Sequence, residues 1–351
     1  MQVLRFVAAA LVLHAHAIDA AQRIRPGETP WLGRGTLGDI GAIGVDIFFV
    51  ISGFIITRTA FPAGRGPRDP AAFALARVLR VVPLCWLMTL PWLIGASDAA
   101  HGPASLATTL TFWPVWGGRF VEPLHPLAWT LCFEMLFYAA FVVLLLRPRR
   151  AVAVALLAAF AASFVAAGLT GSATLGFLGN PIVLEFLAGV GLALALPRAA
   201  WGRRAGLVAL ALAAGWVLAL LALGYGEVSE SAFTQSGALS LQRAILFGAP
   251  SLLLVAGAVL LEGRGVRSAA GRLLGRAGDA SYALYLAHPG ALAFLVAWSP
   301  ALPADGLVAL GLVLGLLAGA LVHGGIERPL AMAFADVARR RPARAPTPTP
   351  G

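Results

Sequence analysis

The sequence predicts an all-α integral membrane protein, a polytopic bundle of about ten transmembrane helices. Three observations predict it. Of the 351 residues, 59% are hydrophobic and only 12% are charged, with a mean hydropathy of +0.84, which departs strongly from soluble domains. The apolar residues fall into ten runs of roughly 17 to 22 residues, long enough to cross a hydrocarbon core of about 30 Å. The charge lies mainly between the runs. No lysine occurs, so the formal net charge of +10 rests on arginine alone. Arginines in short connections between apolar runs fit membrane orientation and argue against nucleic acid as a partner.

Taken in order, the spans lie near 3–20, 40–58, 77–96, 127–146, 151–169, 180–197, 205–223, 243–261, 280–298 and 304–324. The apolar stretch 104–116 is too short to cross and is expected to be re-entrant or interfacial. Alternate connections are basic: Arg58, Arg65, Arg68, Arg77 and Arg80; Arg147, Arg149 and Arg150; Arg198, Arg203 and Arg204; Arg264, Arg267, Arg272 and Arg276. The connections near 170–179, 224–242 and 299–303 carry no arginine. The positive-inside rule therefore puts both termini in the cytoplasm of a multi-pass plasma (inner) membrane protein. Arg23, Arg25 and Arg34 dissent but are outnumbered. Residues 1–330 form one transmembrane domain, and the basic, Pro-rich tail 331–351 reads as disordered. No connection exceeds about 30 residues, so there is no room for a separate soluble catalytic domain. Chemistry must come from the spans or their ends.

Cys85 and Cys132 both fall in apolar runs and read as packing residues. No metal-ligand, nucleotide-loop or hydrolase-elbow motif occurs, so no metal is expected. The informative residues are polar groups inside spans, each costing about 2.5–3.5 kcal/mol on insertion scales. The first span holds Arg5 and His16, eleven residues apart, on one helical face and about 16 Å apart along the axis. A signal peptide ending in Ala15-His16-Ala17 is the competing reading of this stretch. The polar residues in later spans weigh against it. His14 points off the Arg5–His16 face by about 160° and reads as packing.

Span 2 places Asp46, Phe49 and Gly53 on one face, with Gly53 permitting a close helix approach. Arg77 and Arg80 stand one turn apart at the inner lip, either as flanking charge or as a phosphate clamp. Glu134 and Tyr138 are i, i+4, so the phenol can brace the carboxylate. Ser281, Tyr285 and His288 form a polar stripe at i, i+4, i+7. Counting along the spans puts Asp46, Glu134 and Glu185 about four to eight residues below the outer surface, His16 roughly 20 Å from the inner end of span 1, His288 near the middle, and the three arginines at the inner face.

Together these segments resemble the membrane-bound acyltransferase family 3. The resemblance is carried by Arg5-(ten residues)-His16, the Gly44–Phe54 run, Arg77-x-x-Arg80 with Pro83, Trp129-Thr130-Leu131 followed by Glu134, Leu184-Glu185-Phe186, Ser281-Tyr282 with His288-Pro289, and Glu327-Arg328-Pro329. The Trp-Thr-Leu-x-Phe-Glu-Met form is most similar to exopolysaccharide-production O-acetyltransferases. Cys132 stands where that form has Asn, and Ala128 where it has Gly. The resemblance implies transfer of an acyl group, usually acetyl from acetyl-CoA, to a hydroxyl of a cell-surface or lipid-linked glycan, with no permanently bound cofactor. On this reading His16 is the general base, and Asp46 or Glu134 orients it. Arg5, Arg77, Arg80, Trp129, Tyr138, Glu185, Ser281, Tyr282 and His288 bind substrate. Two alternatives compete: a glycan-lipid transporter or flippase, whose proton relays also use intramembrane acids and histidines, and acylation of a lipid or small molecule.

Overall fold

The computed structural model describes the chain except residues 63–65, 96–101, 197–201, 263–268 and 341–351. Arg65, Arg198, Arg264 and Arg267 of the basic connections, and the end of the expected tail, lie outside the described residues. Helices run in the order α1 (Gln2–Ile24), α2 (Ile43–Ala60), α3 (Pro70–Gly95), α4 (Pro103–Thr111), α5 (Trp129–Leu144), α6 (Arg149–Thr170), α7 (Ala173–Leu178), α8 (Val183–Ala195), α9 (Arg203–Leu223), α10 (Ser231–Ser236), α11 (Ser240–Arg243), α12 (Ala249–Glu262), α13 (Ala269–Asp279), α14 (Ser281–Trp298), α15 (Ala304–Val322) and α16 (Arg328–Arg340). A two-stranded antiparallel hairpin, β1 (Val115–Trp116) with β2 (Arg119–Phe120), is the one sheet among the described residues. Nine helical segments among them are long and apolar enough to cross a membrane, and α5 is a shorter apolar tenth. Nine of the ten expected spans are met by such segments, the span expected at 127–146 is the shorter α5, and the protein is a polytopic all-α membrane protein.

Hydropathy decides which helices face inward. α2 is apolar all round and is buried along most of its length, as expected of a central helix. α6 and α9 expose Val154, Leu169, Leu212 and Leu218 on their outer faces, which suits a lipid boundary. Close approach fixes the centre. A Cβ on Gly53 would overlap the Phe186 carbonyl, and one on Gly189 the Val50 carbonyl, so α2 and α8 meet backbone to backbone.

Two π-helical turns, Ala244–Gly248 and His323–Glu327, each precede a proline by two residues, Pro250 and Pro329. The proline ring crowds the carbonyl four residues back, and widening the preceding turn relieves that without breaking the helix. The second π turn joins α15 to α16, so helix continues to Arg340 through the first half of the segment expected to be a disordered tail.

The stretch 104–116 is too short to span, as expected: α4 has nine residues. The segment between the hairpin and α5 sets the depth at which α5 begins. Leu124, His125, Leu127 and Ala128 are buried, and His125 Nε2 lies 2.9 Å from the Leu286 carbonyl of α14. Leu127 N–H donates to His125 Nδ1 at 3.2 Å, so Nε2 carries the proton and donates to Leu286. α5 therefore starts inside the bundle, level with the second turn of α14.

Candidate active site

α1, α2, α3, α5 and α14 enclose a cavity of about 80 Å³ lined by Arg5, Arg77, Arg80, Ser52, Glu134, Tyr138, Tyr282 and Tyr285. It continues into a wider mouth of about 520 Å³, which Arg5, Arg77 and Arg80 also line, with Asp279, Glu327 and Phe334 across from them. Three guanidinium groups against one carboxylate leave the inner cavity with a positive excess. No side-chain hydrogen bond ties down Arg5 or Arg80 among the described residues. Arg77 donates from Nη2 to Thr59 Oγ1 at 3.1 Å, and its guanidinium lies over Phe73 at 5.1 Å and Tyr138 at 5.9 Å. Two of the three cations are free to bind an anion.

Glu134 is the acid of this cavity. Its Oε1 accepts from Ser52 Oγ at 2.8 Å and from the Tyr138 hydroxyl, the i, i+4 brace expected from sequence. Ser52 is a further member, contributed by the central helix. Glu134 does not sit at the histidine level. Because α5 begins inside the bundle, Glu134 lies about 7.5 Å further toward the arginines than its amino-terminal turn.

On the other side of Tyr285 lies a histidine pair. Tyr285 OH pairs with Thr130 Oγ1 at 2.9 Å, and its ring meets Phe48 edge-on at 5.9 Å and His288 at 6.3 Å. On the far side His16 Nδ1 stands 3.0 Å from His288 Nε2, with ring centroids 5.3 Å apart and an interplanar angle of 21°. His288 is fully buried, and its Nδ1 lies 2.9 Å from the Leu284 carbonyl. His16 is half-buried. Its Nε2 has no protein partner among the described residues and is not among the sealed polar atoms.

The expectation that Asp46 or Glu134 orients His16 is corrected here: among the described residues neither carboxylate hydrogen-bonds to it, and His288 does. Asp46 is taken by Arg243. Arg243 Nε donates to Asp46 Oδ1 at 2.9 Å and Nη2 to Oδ2 at 2.7 Å, both side chains being buried. The guanidinium also donates to the carbonyls of Ala42, Val228 and Ser229 and to Thr234 Oγ1. Glu185 belongs to this cluster, not to the cavity. A Cβ on Gly248 would come within 2.9 Å of Glu185 Cγ. Sequence reasoning passed over Arg243. The available signal was an arginine at the end of a span expected to face outward, against the charge rule, while Asp46 lacked a partner.

Of the remaining expected residues, Tyr282 lines the cavity and donates to the Val81 carbonyl at 2.7 Å. Trp129 is buried edge-on against Phe133 at 6.3 Å. It does not line the cavity, because the cavity face of α5 is that of Thr130, Glu134 and Tyr138. Ser281 is buried with its Oγ unpaired and also lies off the cavity.

A membrane-embedded bundle with a cationic cavity and an adjoining histidine pair fits the class of integral-membrane acyltransferases. The profile of the acyltransferase family 3 domain matches residues 1–324, and the chain belongs to that family. It is 32% identical over 307 residues to the exopolysaccharide production protein ExoZ of Rhizobium meliloti (strain 1021), covering 83% of this chain and 90% of that protein. No solved structure matches.

Proposed function

We propose that this acyltransferase moves an acetyl group from acetyl-CoA to a hydroxyl of an exopolysaccharide or its lipid-linked precursor, with His16 as general base. The observation that carries the donor assignment is the cationic cavity. A wide mouth narrows to a slot edged by Arg5, Arg77 and Arg80, a shape and charge suited to a phosphorylated head on a slender thioester arm. The relative's name supports the glycan acceptor. The arginine-lined end faces the cytoplasm of the plasma membrane on this reading, where the donor is made, and both termini lie there.

His16 Nε2 takes the proton from the acceptor hydroxyl as its oxygen attacks the thioester carbonyl. The C–O bond forms, the C–S bond breaks, and the proton passes from His16 to the departing sulfur, leaving the acylated glycan and free CoA. Positioned bases of this kind contribute about 10²- to 10⁴-fold in rate. Tyr285 and Phe48 stand between the cavity and the histidine pair and must yield for the thioester to reach His16. Glu134, held by Ser52 and Tyr138, offsets part of the positive charge around the donor.

The test is to incubate the purified protein with acetyl-CoA labelled in the acetyl group and with the chemically deacetylated exopolysaccharide of the producing strain. Label is expected in the polysaccharide with wild type, and not with His16→Ala, which should still insert and express. Full transfer by His16→Ala removes the base assignment. Absence of labelled product with wild type removes the reaction.

A further inference from the structure

We propose that His288 is a positioning residue that fixes the tautomer of His16, holding the proton on Nδ1 so that Nε2 presents its lone pair, and that it does not bind substrate. The inference rests on His16 as general base and adds the device that makes it one.

Donors and acceptors alternate along a chain of three groups. The Leu284 carbonyl only accepts, so His288 Nδ1, 2.9 Å away, carries a hydrogen. A neutral imidazole has one N–H, so His288 Nε2 is then a bare acceptor. His16 Nδ1, 3.0 Å from that nitrogen, must supply the hydrogen between them. His16 Nε2 is left unprotonated, and it is the nitrogen with no protein partner among the described residues. The chain begins at a backbone atom of α14 and ends at the reactive nitrogen, so the helix itself dictates which nitrogen is basic.

Two features keep the chain in place. His288 is fully buried, and the two rings meet edge to edge, near-coplanar at 21° with centroids 5.3 Å apart, so that His16 Nδ1 and His288 Nε2 point at each other. Pro289 comes directly after His288 in the helix and removes the N–H that the Tyr285 carbonyl would otherwise receive. The burial also argues against contact with substrate, since a side chain without solvent exposure has no face to offer a glycan.

The experiment uses the full-length protein in lipid nanodiscs, with histidine labelled in both ring nitrogens by ¹⁵N and the His16 signals assigned by their loss in His16→Gln. In wild type the nitrogen spectrum is expected to show His16 protonated at Nδ1 and bare at Nε2. His288→Leu removes the acceptor, and His16 should move toward the Nε2–H form that an unconstrained side chain favours. His288→Gln offers an amide oxygen near the lost Nε2 and should restore the wild-type pattern. In transfer assays His288→Leu should lower kcat about 10- to 100-fold with KM little changed, as for other residues that orient a reactive ring, and His288→Gln should recover most of it. A bare Nδ1 on His16 in wild type overturns the proposal by itself, even if the leucine variant does not fold. So does an unchanged His16 in His288→Leu, or a loss expressed in KM alone. Full activity of His16→Ala would instead overturn the base assignment and leave the tautomer measurement standing.

Discussion

Removing Arg243 should destabilise the protein more than removing any residue of the cavity. Its side chain is 1% exposed and that of Asp46 0%. Arg243→Met leaves a buried carboxylate without its counter-ion and strips donors from the Ala42, Val228 and Ser229 carbonyls. Breaking one partner of a buried pair costs about 3–5 kcal/mol. At about 2 °C per kcal/mol for a large domain, the melting point should fall by roughly 6–10 °C. Asp46→Asn should cost a similar amount for the mirrored reason. The double variant Asp46→Asn/Arg243→Met removes both charges and should melt well above the temperature expected from adding the single losses. It should not return to wild type, because the carbonyls stay unpaired. Fluorescence-detected melting in detergent reads all four proteins. Single shifts under about 2 °C, or a double loss equal to the sum, would refute the reasoning. Well below its melting point, Asp46→Asn should keep most of its transfer activity per folded molecule. A far larger loss of activity than of stability would return Asp46 to the catalytic set.

Other outcomes come from the same geometry. Arg5→Gln and Arg80→Gln should each raise KM for acetyl-CoA roughly 10- to 100-fold, the loss of about 1.5–3 kcal/mol in a charge-assisted contact, with kcat little altered; steady-state kinetics check this. Gly53→Ala places a Cβ against the Phe186 backbone, which cannot rotate away, and should cost about 1–3 kcal/mol in thermal melts; Gly191→Ala, with open space around it, should cost nothing measurable.

The spans are legible in the sequence because hydropathy and length are local properties. The Gly53 approach and the Glu134–Tyr138 brace are legible too, since each depends on spacing within one helix. Depth is not. Counting from an outer surface puts Glu134 in the outer half, but buried residues 124, 125, 127 and 128 start α5 well inside the bundle. Partner choice is equally hidden. Asp46 and Arg243 are 197 residues apart, and nothing in either span names the other. The π turns ahead of Pro250 and Pro329 escape for a different reason, because a proline preceded by good helix formers reads as a kink or an end.

The separation of the carboxylates from the histidines has a physical rationale. A carboxylate beside His16 would stabilise the imidazolium, but it would be a charge at mid-membrane with no cation to offset it, the most costly placement for an ionisable group. A second imidazole is neutral, so it orients the ring through one hydrogen bond without a buried charge. The acids are placed where cations already stand: Asp46 on Arg243, and Glu134 in the cavity with Arg5, Arg77 and Arg80. On the proposed reading His16 is then a base whose cationic form has little local support, so the proton must leave as quickly as it arrives. A departing thiolate is an acceptor delivered at that moment by the reaction itself.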